Sequence, residues 1–204
     1  MNIEFPDFDN VPDNKVYYIL LKPGQPIYSW VRALQDDVDL ILHRRLKRSS
    51  VPHITLLQFF MSEKHEPLLT ELTREFSGNL DCSSLMTGGL AEFPGIQTVY
   101  VDIKHQETLK QQFTEFAGSL LLKGLIRNEE SIIHKADKLH ITVAKQVPVD
   151  KYSFVRHHLF SRILNDHAVN VESVVLLKGP GSVSKWDKVN EFPVIGNPSM
   201  RTFF

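Results

Sequence analysis

The spacing of apolar residues changes along the chain, and each change marks an element. Residues 16–21 form a continuous apolar run with two tyrosines, the pattern of a strand buried on both faces. Pro23, Gly24 and Pro26 interrupt it. Beyond them Ile27, Trp30, Val31, Leu34, Val38, Ile41 and Leu42 recur every three to four residues, which predicts an amphipathic helix entered through a proline-rich turn. That helix runs into a basic stretch, Arg44, Arg45, Lys47 and Arg48, followed by Ser49 and Ser50. Residues 53–60 follow Pro52 and are too short a run for a helix of their apolarity, so they predict a second strand. Leu68, Leu69, Leu72 and Phe76 mark a second helix.

From Leu80 the texture shifts to short segments separated by glycines. Gly88, Gly89, Pro94 and Gly95 place turns around two strands at 84–93 and 98–103. A third helix follows on Leu109, Phe113, Phe116, Leu120 and Leu121; residues 127–137 are polar and read as a loop; residues 139–147 return to strand. A fourth helix over 151–164 and strands at 169–177 and 188–194 close the chain. No hydrophilic linker is long enough to separate independent domains. The expectation is an acidic tail at 1–14 followed by a single domain at 15–204. The glycine-rich phosphate loop that a dinucleotide-binding domain carries after its first strand is missing.

The two halves repeat one another. Each holds a strand bearing His-Ile-Thr, preceded by a helix and a polar loop and followed by a helix: His53-Ile54-Thr55-Leu56 and His140-Ile141-Thr142-Val143. With nine histidines in the chain, chance supplies roughly 0.4 such His-x-Thr triplets. One isolated triplet would read as a satisfied strand histidine beside a β-branched filler. Two, in equivalent places with the same central residue, are hard to dismiss that way. On a strand, residues i and i+2 share a face, so His53 projects with Thr55 and His140 with Thr142, while the isoleucines turn toward the core. A phosphate between two such pairs would meet two imidazoles and two hydroxyls. One imidazole can accept a proton while the other donates one, and threonine hydroxyls can hold the phosphate oxygens. Such chemistry requires no metal.

Composition narrows the partners. The chain has 204 residues, 23 Lys+Arg against 24 Asp+Glu, and a formal net charge of -1. A protein that tracks long duplexes by neutralising phosphates carries a basic excess, so the expected partner is a short or terminal piece of nucleic acid held locally. The single cysteine, Cys82, excludes an internal disulfide and a thiolate cluster. The acidic start lacks the pattern of a signal peptide and no apolar run reaches membrane-spanning length, so the reading is a soluble, cytoplasmic protein.

The paired motifs, 87 positions apart, resemble the His-x-Thr-hydrophobic motifs of the two-histidine (2H) phosphoesterase superfamily. Within it the chain is similar to the bacterial and archaeal 2'-5' RNA ligase-like group. Glu92-Phe93-Pro94 leading into Thr98-Val99-Tyr100-Val101-Asp102 resembles that group's Phe-Pro turn and next strand. The ending, Val174-Val175-Leu176-Leu177 with Trp186 and Glu191-Phe192-Pro193, resembles its last two strands. The resemblance implies a bilobal, pseudo-twofold α+β fold in which two antiparallel sheets form a central cleft with helices outside. It implies a monomeric, cofactor-free enzyme hydrolysing 2',3'-cyclic phosphate ends of RNA or a related short nucleotide phosphodiester. Run backwards, the same site would give weak 2'-5' RNA ligation. His53 and His140 would be base and acid, in an order left open, and Thr55 and Thr142 the phosphate holders. Lys145 stands where many members have arginine, and strict alternation turns it away from His140. Trp186 stands where a tyrosine is common.

Other candidates carry less. Arg48 and its basic neighbours could steer a phosphate, or simply complement a helix end. Phe59, on the expected face of His53, and Tyr100 and Trp186 on nearby strands could stack on a base, although core packing explains each as well. His134, His157 and His158 lack ligand partners at metal spacing, and His43, His65, His105 and His167 read as surface residues. The alternative reading is a non-catalytic RNA-end or nucleotide-binding protein using the same cleft, which would not need both an acid and a base. A serine or Cys82 hydrolase finds no support, since neither Gly-x-Ser-x-Gly nor a Cys-Gly signature occurs.

Overall fold

The computed structural model describes residues 14–43, 51–162, 166–179 and 186–195. The order of its elements is β1 (Asn14–Pro23), α1 (Ile27–Ile41), β2 (Ile54–Ser62), α2 (Glu66–Gly78), β3 (Met86–Phe93), β4 (Thr98–Lys104), α3 (Glu107–Leu122), β5 (Ile132–Lys135), β6 (His140–Ala144), α4 (Val149–Phe160), β7 (Val171–Gly179) and β8 (Asp187–Pro193). Every helix and strand read from the pattern is present. The exception runs the other way: β5 lies inside the polar stretch expected to be a loop. Its four residues hold their place through pairing with β2 rather than through apolar content. The strand β1 also starts at Asn14, one residue inside the expected tail.

All strand pairs are antiparallel, in the order β3-β4-β6-β2-β1-β7-β8, with β5 paired farther along the edge of β2 that also meets β6. The two antiparallel sheets that the resemblance implies are thus the halves β3-β4-β6 and β2-β1-β7-β8 of one eight-stranded sheet. They join through one register pair between β2 and β6, Ile54 with Ile141. Both isoleucines are fully buried. Helix α1 turns Ile27, Val31, Leu34 and Val38 inward, the three-to-four spacing read from the sequence. It packs against β6 and α4, while α2 packs against β7 and β8. Under the helices lie Tyr17, Ile19 and Leu21 of β1 with Leu57 and Phe59 of β2. Among the described residues no helix is long and apolar enough to cross a membrane.

One irregularity recurs in both halves. Along β1 and β2 the register runs from Leu20–Thr55 to Ile19–Leu57, leaving Leu56 as an extra residue. Along β4 and β6 it runs from Tyr100–Thr142 to Val99–Ala144, leaving Val143 extra. Each is a β-bulge at the fourth residue of a His-Ile-Thr-x motif. A bulge resets the alternation of side chains beyond it. Gln58, paired with Tyr18, thus returns to the face of Thr55, and Phe59, paired with Tyr17, goes to the opposite face. Lys145 follows directly on Ala144, the last residue of β6.

Candidate active site

The Ile54–Ile141 pair fixes how the motifs meet. Because the strands are antiparallel, His53 lies on the Thr142 side of this pair and Thr55 on the His140 side. The two isoleucines point into the core, so the four polar side chains project together from the other face. The local pseudo-twofold axis passes between the isoleucines.

Backbone carbonyls orient both imidazoles. His53 Nδ1 lies 2.8 Å from the Val51 carbonyl oxygen, and His140 Nδ1 lies 3.0 Å from that of Lys138. A carbonyl only accepts, so each Nδ1 carries the proton and each Nε2 is the nitrogen left for chemistry. Burial, the largest cause, lowers the His53 pKa, and the charges of His140 and Lys145 lower it further against the opposing bond to Val51. The His140 pKa is also lowered, first by burial and then by Lys138 and Lys145, with the Lys138 carbonyl and Asp102 opposing.

Tyr18 is the site residue that sequence reasoning missed. Its hydroxyl lies 3.0 Å from His53 Nε2 and 2.5 Å from Thr55 Oγ1, linking both polar members of the first motif. While His53 is neutral the phenol donates to Nε2 and accepts from Thr55; when His53 is protonated both bonds reverse. In the sequence Tyr18 is one letter of an apolar run, and only the β1–β2 register brings it here. In Tyr18→Phe both forms of the ring lose this bond, and the protonated form loses the stronger, charge-assisted one, so the His53 titration midpoint, followed by NMR, should fall; an unmoved midpoint would show that the bond is not made in solution.

The second half is built differently around its histidine. Tyr100 stacks on Phe93 with centroids 4.3 Å apart, and the His140 ring stands against both. Lys138 pairs with Asp102 at 3.0 Å, donates to the Tyr100 hydroxyl at 3.3 Å and lies 5.3 Å from the Tyr100 ring centroid. Asp102 fits because position 88 is glycine: a Cβ there would come within 2.9 Å of Asp102 Oδ2.

The remaining candidates divide. Trp186 is half-buried, its ring 5.4 Å from that of Tyr18, so it borders the site on the His53 side. Phe59, expected on the face of His53, is instead fully buried against Tyr17, because the bulge at Leu56 reverses its direction. Tyr100 has only 3% of its surface exposed, so it supports Phe93 and His140 and offers no free ring face to a base. Lys145, expected to point away from His140, is exposed and its charge bears on His53, His134 and His140. Arg48 lies outside the described residues. Cys82 is half-buried, its thiol pushed up to about 12 chiefly by burial, which removes it as a nucleophile. Among the described residues no group of three His, Cys, Asp or Glu side chains is placed to hold a metal ion.

The charge of Lys145 gives a test of its place beside the histidines. Removing it in Lys145→Ala should raise the titration midpoints of His53, His134 and His140 together. Three unchanged midpoints would put the ammonium outside the cleft.

The chain resembles known proteins over most of its length. No curated protein matches it. TT0787 of Thermus thermophilus has a similar structure, with a TM-score of 0.51 and 18% identity over 88% of this chain and 97% of that one. E. coli LigT complexed with NADP+ aligns at a TM-score of 0.48 and 13% identity, covering 89% of this chain and 98% of LigT. The LigT complex with phosphate aligns at 0.49 and 10% identity with the same coverage. Residues 3–182 match the family model of the 2'-5' RNA ligase superfamily. With that match, and the fold it shares with TT0787, the chain belongs to the 2'-5' RNA ligase superfamily, a two-histidine phosphoesterase group.

Proposed function

We propose that the protein hydrolyses 2',3'-cyclic phosphate ends of RNA, or a related short nucleotide phosphodiester, without a metal. The observation that carries this reading is the pairing of the two motifs through Ile54 and Ile141, with each Nδ1 held by a carbonyl so that Nε2 is the proton-transfer nitrogen of each ring, that of His53 meeting the Tyr18 hydroxyl. One histidine takes a proton from water as the water oxygen forms its bond to phosphorus. The bond from phosphorus to one ribose oxygen breaks, and the other histidine supplies the proton to that oxygen. Thr142 donates to a non-bridging oxygen, where charge rises during in-line displacement, and Thr55 does the same once protonated His53 has reversed its bond to Tyr18 and freed the Thr55 hydrogen. The Lys145 ammonium adds a positive field to the same cleft. The family's usual assignment favours a 2'-phosphate product, and a ribose hydroxyl replacing water would give weak 2'-5' ligation from the same groups. The near-neutral net charge fits this substrate, since one phosphodiester held between two histidines needs no basic surface.

The direct test is to incubate the purified protein, in EDTA, with 2',3'-cyclic nucleotides and short RNAs ending in cyclic phosphate, following products by phosphorus NMR. Conversion to monoesters is expected. Absence of turnover on every phosphodiester would sink the reading. In Lys145→Ala, KM should rise by about tenfold with a smaller change in kcat, because a charge contact to the phosphate is lost before and after the transition state alike.

A further inference from the structure

We propose that Gln58 and His134 form a nucleobase-reading subsite, so that the phosphodiester between the histidines is selected by the edge of the base it carries. This rests on the phosphodiesterase reading above and adds what that reading leaves out, the group that recognises the nucleoside. Register sets the arrangement. Leu177, Tyr18, Gln58 and His134 are paired neighbours across β7, β1, β2 and β5, and so share one face. Adjacent strands lie about 4.8 Å apart, which puts Gln58 one strand and His134 two strands, roughly 10 Å, from Tyr18. The Tyr18 hydroxyl is itself on the reactive nitrogen of His53. The row therefore leads from the reacting phosphate outward over the length of a nucleoside.

The chemistry of the row favours a base over a second anion. Gln58 is half-buried, and among the described residues no hydrogen bond engages its carboxamide. A partly desolvated amide carries a donor and an acceptor in one plane, which is what the edge of a nucleobase complements. His134 is exposed on the neighbouring strand. Burial of part of its ring and the charge of His140 lead in lowering its pKa, with Lys145 adding and Asp137 opposing, so its imidazole is neutral and adds a further donor and acceptor or a ring face.

The duplication sharpens the contrast. Gln58 and Lys145 each stand five residues after a motif histidine; the bulge at Leu56 returns Gln58 to the cleft face, and the charge of Lys145 bears on both motif histidines. One half presents a cation at this position, suited to phosphate, and the other an uncharged amide. A repeat used only to hold phosphate would have no use for that difference.

The test is calorimetric titration of the four nucleoside 2'-monophosphates into the wild type, Gln58→Leu and His134→Ala, alongside turnover of the four 2',3'-cyclic nucleotides. The wild type should separate the bases by about five- to tenfold in Kd, the effect of one or two satisfied hydrogen bonds. Gln58→Leu should bring the four within about twofold, with the loss falling in KM more than in kcat. Gln58→Glu exchanges donors for acceptors and should change the order of preference. Unaltered thermal unfolding keeps a folding defect apart from lost recognition, and Gln58→Ala replaces the leucine variant if that one misfolds. Equal binding of all four bases by the wild type, or discrimination that survives both substitutions, would overturn the proposal. Discrimination in binding without any turnover would support the subsite and count against the phosphodiesterase reading alone.

Discussion

His53→Ala and His140→Ala are each expected to lower kcat on a 2',3'-cyclic nucleotide by about 10²–10⁴-fold, with far smaller changes in KM. In the proposed mechanism each substitution removes the group that moves one of the two protons, while the threonines and the rest of the cleft still bind substrate. The double variant should fall little further than the worse single one, since either loss already breaks the acid-base pair. The pH dependence follows from the site. The base must be unprotonated, so activity rises as pH climbs through its pKa; the acid must be protonated, so activity falls as pH climbs through the other. Both pKa values are lowered, burial being the main cause. The bell in kcat/KM should therefore peak on the acid side of about 6.5, the ordinary imidazole value. A bound phosphodiester anion favours both imidazolium forms, so the kcat profile, which reports the complex, should lie at higher pH. The two limbs belong to the coupled pair rather than to either residue. Full activity in both alanine variants would remove the histidines from the mechanism.

Phe59→Ala should destabilise the protein by about 3–5 kcal/mol in reversible denaturant unfolding. Phe59 is fully buried, its ring stacked on Tyr17 at 6.0 Å between centroids, under the helices. The loss is a large share of a typical stability of about 5–15 kcal/mol. Gln58→Ala, one residue away, should change stability by less than about 1 kcal/mol, because its carboxamide engages no described residue and its side chain faces the cleft. The contrast measures the direction of the strand beyond Leu56. With uninterrupted alternation from His53, Phe59 would share the open face and its truncation would be mild. Comparable losses at the two positions would mean that the bulge is not where the register puts it.

Much of this architecture could be read from the chain. The three-to-four spacing of Ile27, Val31, Leu34 and Val38 is the buried stripe of α1, and the apolar run 16–21 is the core of β1. The two His-Ile-Thr strands are where the repeat put them, with their isoleucines inward. Three features escaped, each for a stated physical reason. β5 is four residues of mixed polarity whose strand character comes from the edge of β2, and periodicity has nothing to register in so short a piece. Tyr18 lies in an unbroken apolar run, where a hydroxyl that bonds His53 looks the same as one that does not. Phe59 and Lys145 were placed by alternation, which holds only until a bulge, and no glycine or other local residue announces the ones at Leu56 and Val143.

The sequence by itself determined the helices and most of the strands, the duplicated strand and the four groups able to handle a phosphate, because side-chain chemistry and the periods of helix and strand are local properties. The class of fold came from the resemblance that the paired motifs carry. Tertiary structure decided which way everything beyond the motifs points. Strand pairing made the single Ile54–Ile141 junction, brought Tyr18 onto His53, and turned Gln58 into the cleft while sending Phe59 into the core. Those outcomes depend on register between strands distant in the chain. One extra residue in a strand inverts the faces of all that follow it, and no count along the sequence alone can supply that parity.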